Sequence, residues 1–175
     1  EDITVGNLLD MFARSAGLAS PGGPEIEHLA TKGKNFVELP YTVKGNDVSY
    51  SGLLTAATKQ LQAGQPVEDL CFSIQEVSFS MLAEAVERSL AHTEKTELLL
   101  VGGVASNFAL RKKLETVASE HAALLQAVDP KYAGDCGAQI SWTGALAYGH
   151  RLFVDIERSQ VRPRWRLDEV DIPWR

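Results

Sequence analysis

Little in this chain points to a self-sufficient metal or redox centre. Its two cysteines, Cys71 and Cys136, lie far apart in no metal-type spacing, which fits a reducing, cytoplasmic setting better than a disulfide framework. The four histidines, His28, His92, His121 and His150, are scattered. None forms the helical His-x-x-x-His or His-Glu-x-x-His pair that would mark a zinc enzyme. No apolar run approaches the roughly 20 residues that cross a bilayer, and Glu1-Asp2-Ile3-Thr4-Val5 does not read as a signal peptide. Nor does it read as a natural start, because it lacks Met and drops straight into a strand-like alternation, as a fragment or processed chain would. A formal net charge of −6 argues against a general nucleic-acid binder, while leaving room for a local basic patch. Internal repeats and low-complexity tracts are missing too.

What is present is an ordinary globular composition. Hydrophobic residues make up 45% and charged residues 23% of 175 positions, enough chain to bury a real core as one domain. Helical spacing of Leu9, Phe12, Ala13 and Ala16 predicts a helix over 7–16, stopped by Gly17. Ser20-Pro21-Gly22-Gly23-Pro24 is the densest loop signal, followed by a short helix over about 24–32. Residues 35–50 read as extended chain and turns. A helix over 50–62 follows, and then the longest one, opened by Pro66 with Glu68 and Asp69 in its first turn. Its Leu70, Ile74, Val77, Met81, Ala85 and Leu90 repeat at helical spacing to about His92. Cys71, near its start, reads as an ordinary core residue.

From residue 95 the pattern changes to strand 97–101, helix 107–120, strand 122–128 and helix 136–153, a β-α-β-α unit that implies a parallel strand pair. The chain then falls into three stretches: a mainly helical 1–95, this unit at 96–154, and a tail at 155–175 laid over a surface.

Candidate chemistry sits at helix starts. Gly102 and Gly103 after the strand allow close backbone approach to a ligand, and Asn107 is a good N-cap for the next helix. No Gly-Lys-Ser/Thr follows, so this is not a P-loop. Asp135 precedes the last helix, where simple capping explains it and a metal or ribose role is the sharper alternative. Asp10, four residues before Arg14, reads as half of a surface ion pair. Gly23 and Glu27 could equally belong to a plain turn and a solvated helix face. Two basic runs, Arg111-Lys112-Lys113 and Arg162 to Arg166 with Trp165, are the places where nucleic acid could touch, against the blander reading of solvated faces.

Taken together these pieces resemble one family. In order come Val5-Gly6-Asn7-Leu8-Leu9-Asp10-Met11-Phe12-Ala13-Arg14, Pro21-Gly22-Gly23-Pro24, Val37 to Gly45 and Asp47 to Leu53. Gly102-Gly103-Val104-Ala105-Ser106-Asn107 and Gly134-Asp135-Cys136-Gly137-Ala138 follow. The set resembles the tRNA threonylcarbamoyladenosine synthase family, the TsaD-type catalytic subunit of the KEOPS complex. Glu38-Leu39-Pro40-Tyr41 and the ending Asp168 to Arg175 are closer to its archaeal and eukaryotic branch.

The resemblance implies an α/β fold of the actin, sugar-kinase and Hsp70 group, with this chain as part of the C-terminal lobe. It implies transfer of threonylcarbamoyl from threonylcarbamoyl-adenylate to the adenosine beside the anticodon of tRNA. Asp10, Gly23, Glu27 and Asn107, with Gly102 and Gly103 beside them, match the adenylate-holding positions, where helix starts would offer N–H groups to phosphate. Asp135 matches a ligand of one divalent metal ion. No residue matches a general base. Implied partners are tRNA, kinase-like and small KEOPS subunits and the family's N-terminal half, with no membrane.

This chain departs from the family pattern in lacking the His-x-x-x-His pair and the Ser-Gly-Gly loop of that half, and in carrying Cys136 where Asn is usual. The resemblance also implies that Asp2 to Val5 forms a strand and that two sheet strands lie outside the chain, so that strand edges stay open or are completed by another chain. Other readings of the same fold are a non-catalytic nucleotide-binding scaffold or a small-molecule kinase.

Overall fold

The computed structural model describes residues 2–166 and 169–174. Glu1, at the expected N-terminal strand, and Leu167, Asp168 and Arg175, in the closing tail, lie outside the described residues. The chain is mixed α/β, mostly helical with two small sheets. It divides into two compact units between Ala133 and Gly134, within the stretch that the sequence groups as 96–154.

In the first unit, α1 (Val5–Ser15) opens where Thr4 accepts the Asn7 N–H through its hydroxyl at 3.1 Å. The start is therefore a capped helix, and Asp2 to Val5 is not a strand. The carboxylate of Asp2 explains why. It accepts from the Ile3 N–H at 2.7 Å, the Tyr50 N–H at 3.0 Å and the Ser51 N–H at 3.0 Å, and from the hydroxyls of Ser49 and Ser51. One ionised side chain thus gathers donors that a strand partner would otherwise have to satisfy.

Helix α2 (Gly22–Ala30) follows a cis Ser20–Pro21 bond. A two-residue turn, with Gly45 at φ 61°, joins β1 (Val43–Lys44) to antiparallel β2 (Asp47–Val48), the left-handed geometry that a tight hairpin requires. Then come α3 (Ser51–Gln62) and α4 (Val67–Thr93). Strand β3 (Glu97–Leu100) pairs in parallel with β4 (Leu124–Ala127), register Glu97 to Leu124, across α5 (Phe108–Glu120). The four-residue α6 (Pro130–Ala133) ends the unit.

The core is built around α4, which packs against α2, α3 and α5. Periodicity predicts one apolar stripe on this helix, yet consecutive residues in its first half are buried: Leu70, Cys71, Ser73, Ile74, Gln75, Val77, Ser78 and Phe79 among them. A helix surrounded by neighbours has no solvent face to keep polar. Its buried polar groups are used instead as anchors. Asp69 accepts from the Lys34 N–H at 2.7 Å and the Asn35 N–H at 3.1 Å, and from the Asn35 amide at 3.0 Å. The Ser73 hydroxyl accepts the Val37 N–H at 2.8 Å. Together these two side chains clamp the 34–37 loop onto the helix. Cys71 is a core residue as expected, and burial pushes its thiol up to about 12.

Among the described residues the β3–β4 sheet has only two strands, and Leu99 (66% exposed), Val101 and Leu124 face outward. The second unit holds α7 (Gly137–Gly149) and the tail. No residue of α7 is buried, and its Ile140, Trp142 and Tyr148 are exposed, although a helix this apolar ordinarily belongs in an interior.

The Asn35 side-chain amide, followed by the Lys34 and Asn35 N–H groups, holds the Asp69 carboxyl below the usual carboxylate range. A folded-state value depressed in this way stabilises fully above the unfolded value of about 4 and is lost as the pH falls through the folded one. Asp69→Asn should therefore lower the melting temperature at pH 7, with the gap to the parent closing toward pH 3. A gap of constant size across that range would refute the assignment.

Candidate functional site

Five of the residues singled out from the sequence meet in the first unit around one cavity of about 340 Å³: Asp10 of α1, Gly23 and Glu27 of α2, Gly103, and Asn107 at the start of α5. Gly6, Leu9, Pro21, Pro24, Val104 and Ser106 complete the lining. Three helix ends therefore converge on one hollow, and the way each is capped sets its chemistry.

Asp10 does not pair with Arg14 as its spacing predicts. Its Oδ1 accepts the Gly22 N–H at 2.8 Å, fastening the first residue of α2 to α1. Glu27 is no solvated helix charge either, because its Oε1 accepts the Phe108 N–H at 2.7 Å, from a partner 81 residues away in sequence. Asn107 caps α5 as expected, its Oδ1 accepting the Leu110 N–H at 3.1 Å, while its Nδ2 donates to Gln75 Oε1 at 2.9 Å. Asn107 is only 6% exposed.

These bonds correct the expectation that the α5 start offers free N–H groups to phosphate. Among its first three amides, those of Phe108 and Leu110 are already taken by Glu27 and Asn107. The helix dipole, which would favour an anionic ligand, here favours the protein's own carboxylate. The lining also carries two acids and neither Lys nor Arg. An anion about 5 Å from one carboxylate, at an effective dielectric constant near 20, meets a repulsion on the order of 3 kcal/mol. The hollow therefore suits a neutral, donor-bearing group, since each carboxylate has a second oxygen able to accept.

Adjacent glycines have separate duties. A Cβ on Gly22 would come within 2.5 Å of the Ala13 Cβ and 3.0 Å of the Leu9 carbonyl oxygen, so α1 and α2 touch there through bare backbone. At Gly23 a Cβ would meet nothing closer than Leu9 Cδ1 at 4.0 Å, and it would project into space beside the cavity. Gly102 departs from expectation, because it is not among the lining residues. At φ 95° and ψ 165° it turns the chain from β3 into the short 3-10 turn Gly103–Ser106, a conformation that side chains rarely adopt.

Asp135 belongs to the second unit. It does not cap α7: Cys136 holds the N-cap position, and no side-chain bond caps that helix. Among the described residues no group of three His, Cys, Asp or Glu side chains could hold a metal ion.

Two of the three residues of the first basic run are engaged internally. The Arg111 guanidinium donates to the Ala105 carbonyl and, at 3.4 Å, to that of Val128, and Lys113 pairs with Glu76 at 2.6 Å. In the second run, Arg162 lies 5.3 Å from the centre of the exposed Trp165 ring. No helix among the described residues is long and apolar enough to cross a membrane.

Sequence reasoning missed Gln75. It stands in the mixed run Ser73-Ile74-Gln75-Glu76-Val77-Ser78, which carries no motif and nothing to single out one polar residue.

The chain is thus a mixed α/β protein with a carboxylate-lined hollow where helix ends meet. Residues 1–142 match the family described as TsaD: tRNA N6-adenosine threonylcarbamoyltransferase. A tRNA N6-adenosine threonylcarbamoyltransferase of Thermofilum pendens is 52% identical over 175 residues, covering 99% of this chain and 52% of the relative. One from Caldivirga maquilingensis is 53% identical over 173 residues, again covering 99% and 52%. A probable bifunctional tRNA threonylcarbamoyladenosine biosynthesis protein of Methanothermobacter thermautotrophicus is 53% identical over 173 residues, 99% of this chain and 32% of that protein. This chain belongs to the tRNA N6-adenosine threonylcarbamoyltransferase family. It spans about half the length of the Thermofilum pendens and Caldivirga maquilingensis transferases.

The two glycines give a direct test. Gly22→Ala should cost about 1–3 kcal/mol of stability through overpacking, whereas Gly23→Ala should leave the melting temperature unchanged or slightly raised. Equal destabilisation in thermal melts would contradict the division of roles.

Proposed function

We propose that this chain is the adenosine-holding part of a tRNA-modifying transferase and that its cavity takes the nucleoside end of threonylcarbamoyl-adenylate. The observation that carries the reading is the gathering of Asp10, Gly23, Glu27 and Asn107, the residues matched to the adenylate by resemblance, around one carboxylate-lined hollow. Ribose hydroxyls and an adenine amine are donors, and two carboxylates are what such donors need. The carboxylates repel the phosphate, which in this reading lies outside the hollow. The fold in this reading is that of the actin, sugar-kinase and Hsp70 group, with the chain in its C-terminal lobe and the open β3–β4 sheet extended by strands from the rest of the protein.

In the reaction, N6 of the tRNA adenosine attacks the threonylcarbamoyl carbonyl. A C–N bond forms, the C–O bond to the adenylate breaks, and AMP leaves. The chain's own residues bind and orient the leaving nucleotide. Asp135 would supply one ligand to a divalent metal, whose polarisation of the carbonyl is the chemistry such an ion offers. The other ligands would come from outside this chain. The substrate tRNA and kinase-like and small KEOPS-type subunits are the partners in this reading, and the setting is cytoplasmic.

In the full-length protein, Glu27→Ala should weaken binding of a non-hydrolysable ATP analogue about tenfold or more, since it removes a charged acceptor and strips the Phe108 amide of its partner. Asp135→Ala should abolish threonylcarbamoylation of tRNA while leaving nucleotide binding intact. Calorimetry and a tRNA modification assay read the two effects. Unchanged nucleotide affinity in Glu27→Ala, or unchanged turnover in Asp135→Ala, would sink the corresponding half of the proposal. A pure scaffold would lose nothing in turnover, and a small-molecule kinase would phosphorylate a sugar or acid and leave tRNA unmodified.

A further inference from the structure

We propose that Gln75, on the buried side of α4, is a positioning residue for the nucleoside cavity, acting through Asn107; this rests on the function proposed above. An asparagine amide has two nearly equivalent ends, and a cap needs the oxygen end turned toward the helix. At the start of α5 both ends are committed. Oδ1 accepts the Leu110 N–H at 3.1 Å, and Nδ2 donates to Gln75 Oε1 at 2.9 Å. Gln75 lies 32 residues away in sequence and is 9% exposed, so its acceptor arrives from another element and is sheltered from competing water.

The consequence is directional. The Leu110 N–H can only donate, so the amide cannot invert without losing the cap, and Gln75 holds its nitrogen end where the cap leaves it. Asn107 lines the cavity, and the second hydrogen on Nδ2 is the one donor its side chain has left for an occupant. The lining also holds Ser106, and the Asn107 donor adds a fixed point for an acceptor such as a ring nitrogen or a ribose oxygen. Gln75 is not among the cavity-lining residues; it anchors the Nδ2 end of Asn107 and so holds the remaining donor in place.

The test uses the full-length protein and a non-hydrolysable ATP analogue. Asn107→Ala and Gln75→Leu should each weaken binding about tenfold, and the double variant should be little weaker than Asn107→Ala alone. In the tRNA assay Gln75→Leu should raise KM for the adenylate with kcat held within about twofold, a split that general loosening of the fold would not give. Gln75→Glu keeps an acceptor oxygen whether ionised or protonated and should bring affinity back to within about threefold of the parent. If Gln75→Leu does not fold, Gln75→Met, a straight apolar chain of similar length, takes its place in the same cycle. Full affinity in Gln75→Leu beside a loss in Asn107→Ala would overturn the positioning role and leave the cavity assignment standing. Additive losses would overturn it as well. Unchanged affinity in Asn107→Ala would overturn both.

Discussion

The first turn of α5 is held by side chains from three other places, and the cavity exists because they agree. Glu27 comes from α2, Gln75 from α4, and Asn107 from the residue just before the helix. A helix start leaves N–H groups that must find partners when buried. Here one partner is the capping Asn107, itself held by Gln75, and another is Glu27 from α2, so satisfying one helix end ties three elements together. Asp10 does the same for α2 through the Gly22 amide. Capping and cavity building are one act in this protein: the groups that quiet the helix ends also wall the hollow.

Much of the fold was legible because it rests on local chemistry. Pro66 with two acids behind it starts α4, Asn107 starts α5, and strand-like runs flank α5 as a parallel pair. The candidate residues Asp10, Gly23, Glu27, Gly103 and Asn107 were found by resemblance, and the structure gathers them. Their bonding was not legible. Asp10 and Arg14 sit at a helical spacing that suits an ion pair, but a buried amide in need of an acceptor outbids an exposed cation. The strand expected at Asp2 to Val5 failed for a related reason, since Thr4 caps and Asp2 collects donors from 49–51. Gln75 was invisible because its partner is settled only by packing.

The family match and the geometry constrain each other. With two acids and no cation in its lining, the hollow is poorly suited to a free phosphate and well suited to a sugar or base. The chain spans about half the length of the transferases it is compared with. Strands β3 and β4 and helix α7 carry bare apolar surfaces.

Helix α4 runs for 27 residues, about 40 Å at the usual rise, and along that length its polar side chains answer to clients far off in sequence. Asp69 and Ser73 serve the 34–37 loop, Gln75 serves Asn107, Glu76 serves Lys113, and Glu84, Arg88 and Ser89 grip Tyr41 and the β1–β2 turn. Such a rod is an axle for the unit, and its history should be one of paired exchange. A change at any of these positions is tolerated best when its client changes with it, so drift along α4 leaves its imprint as correlated substitutions in the loops it carries.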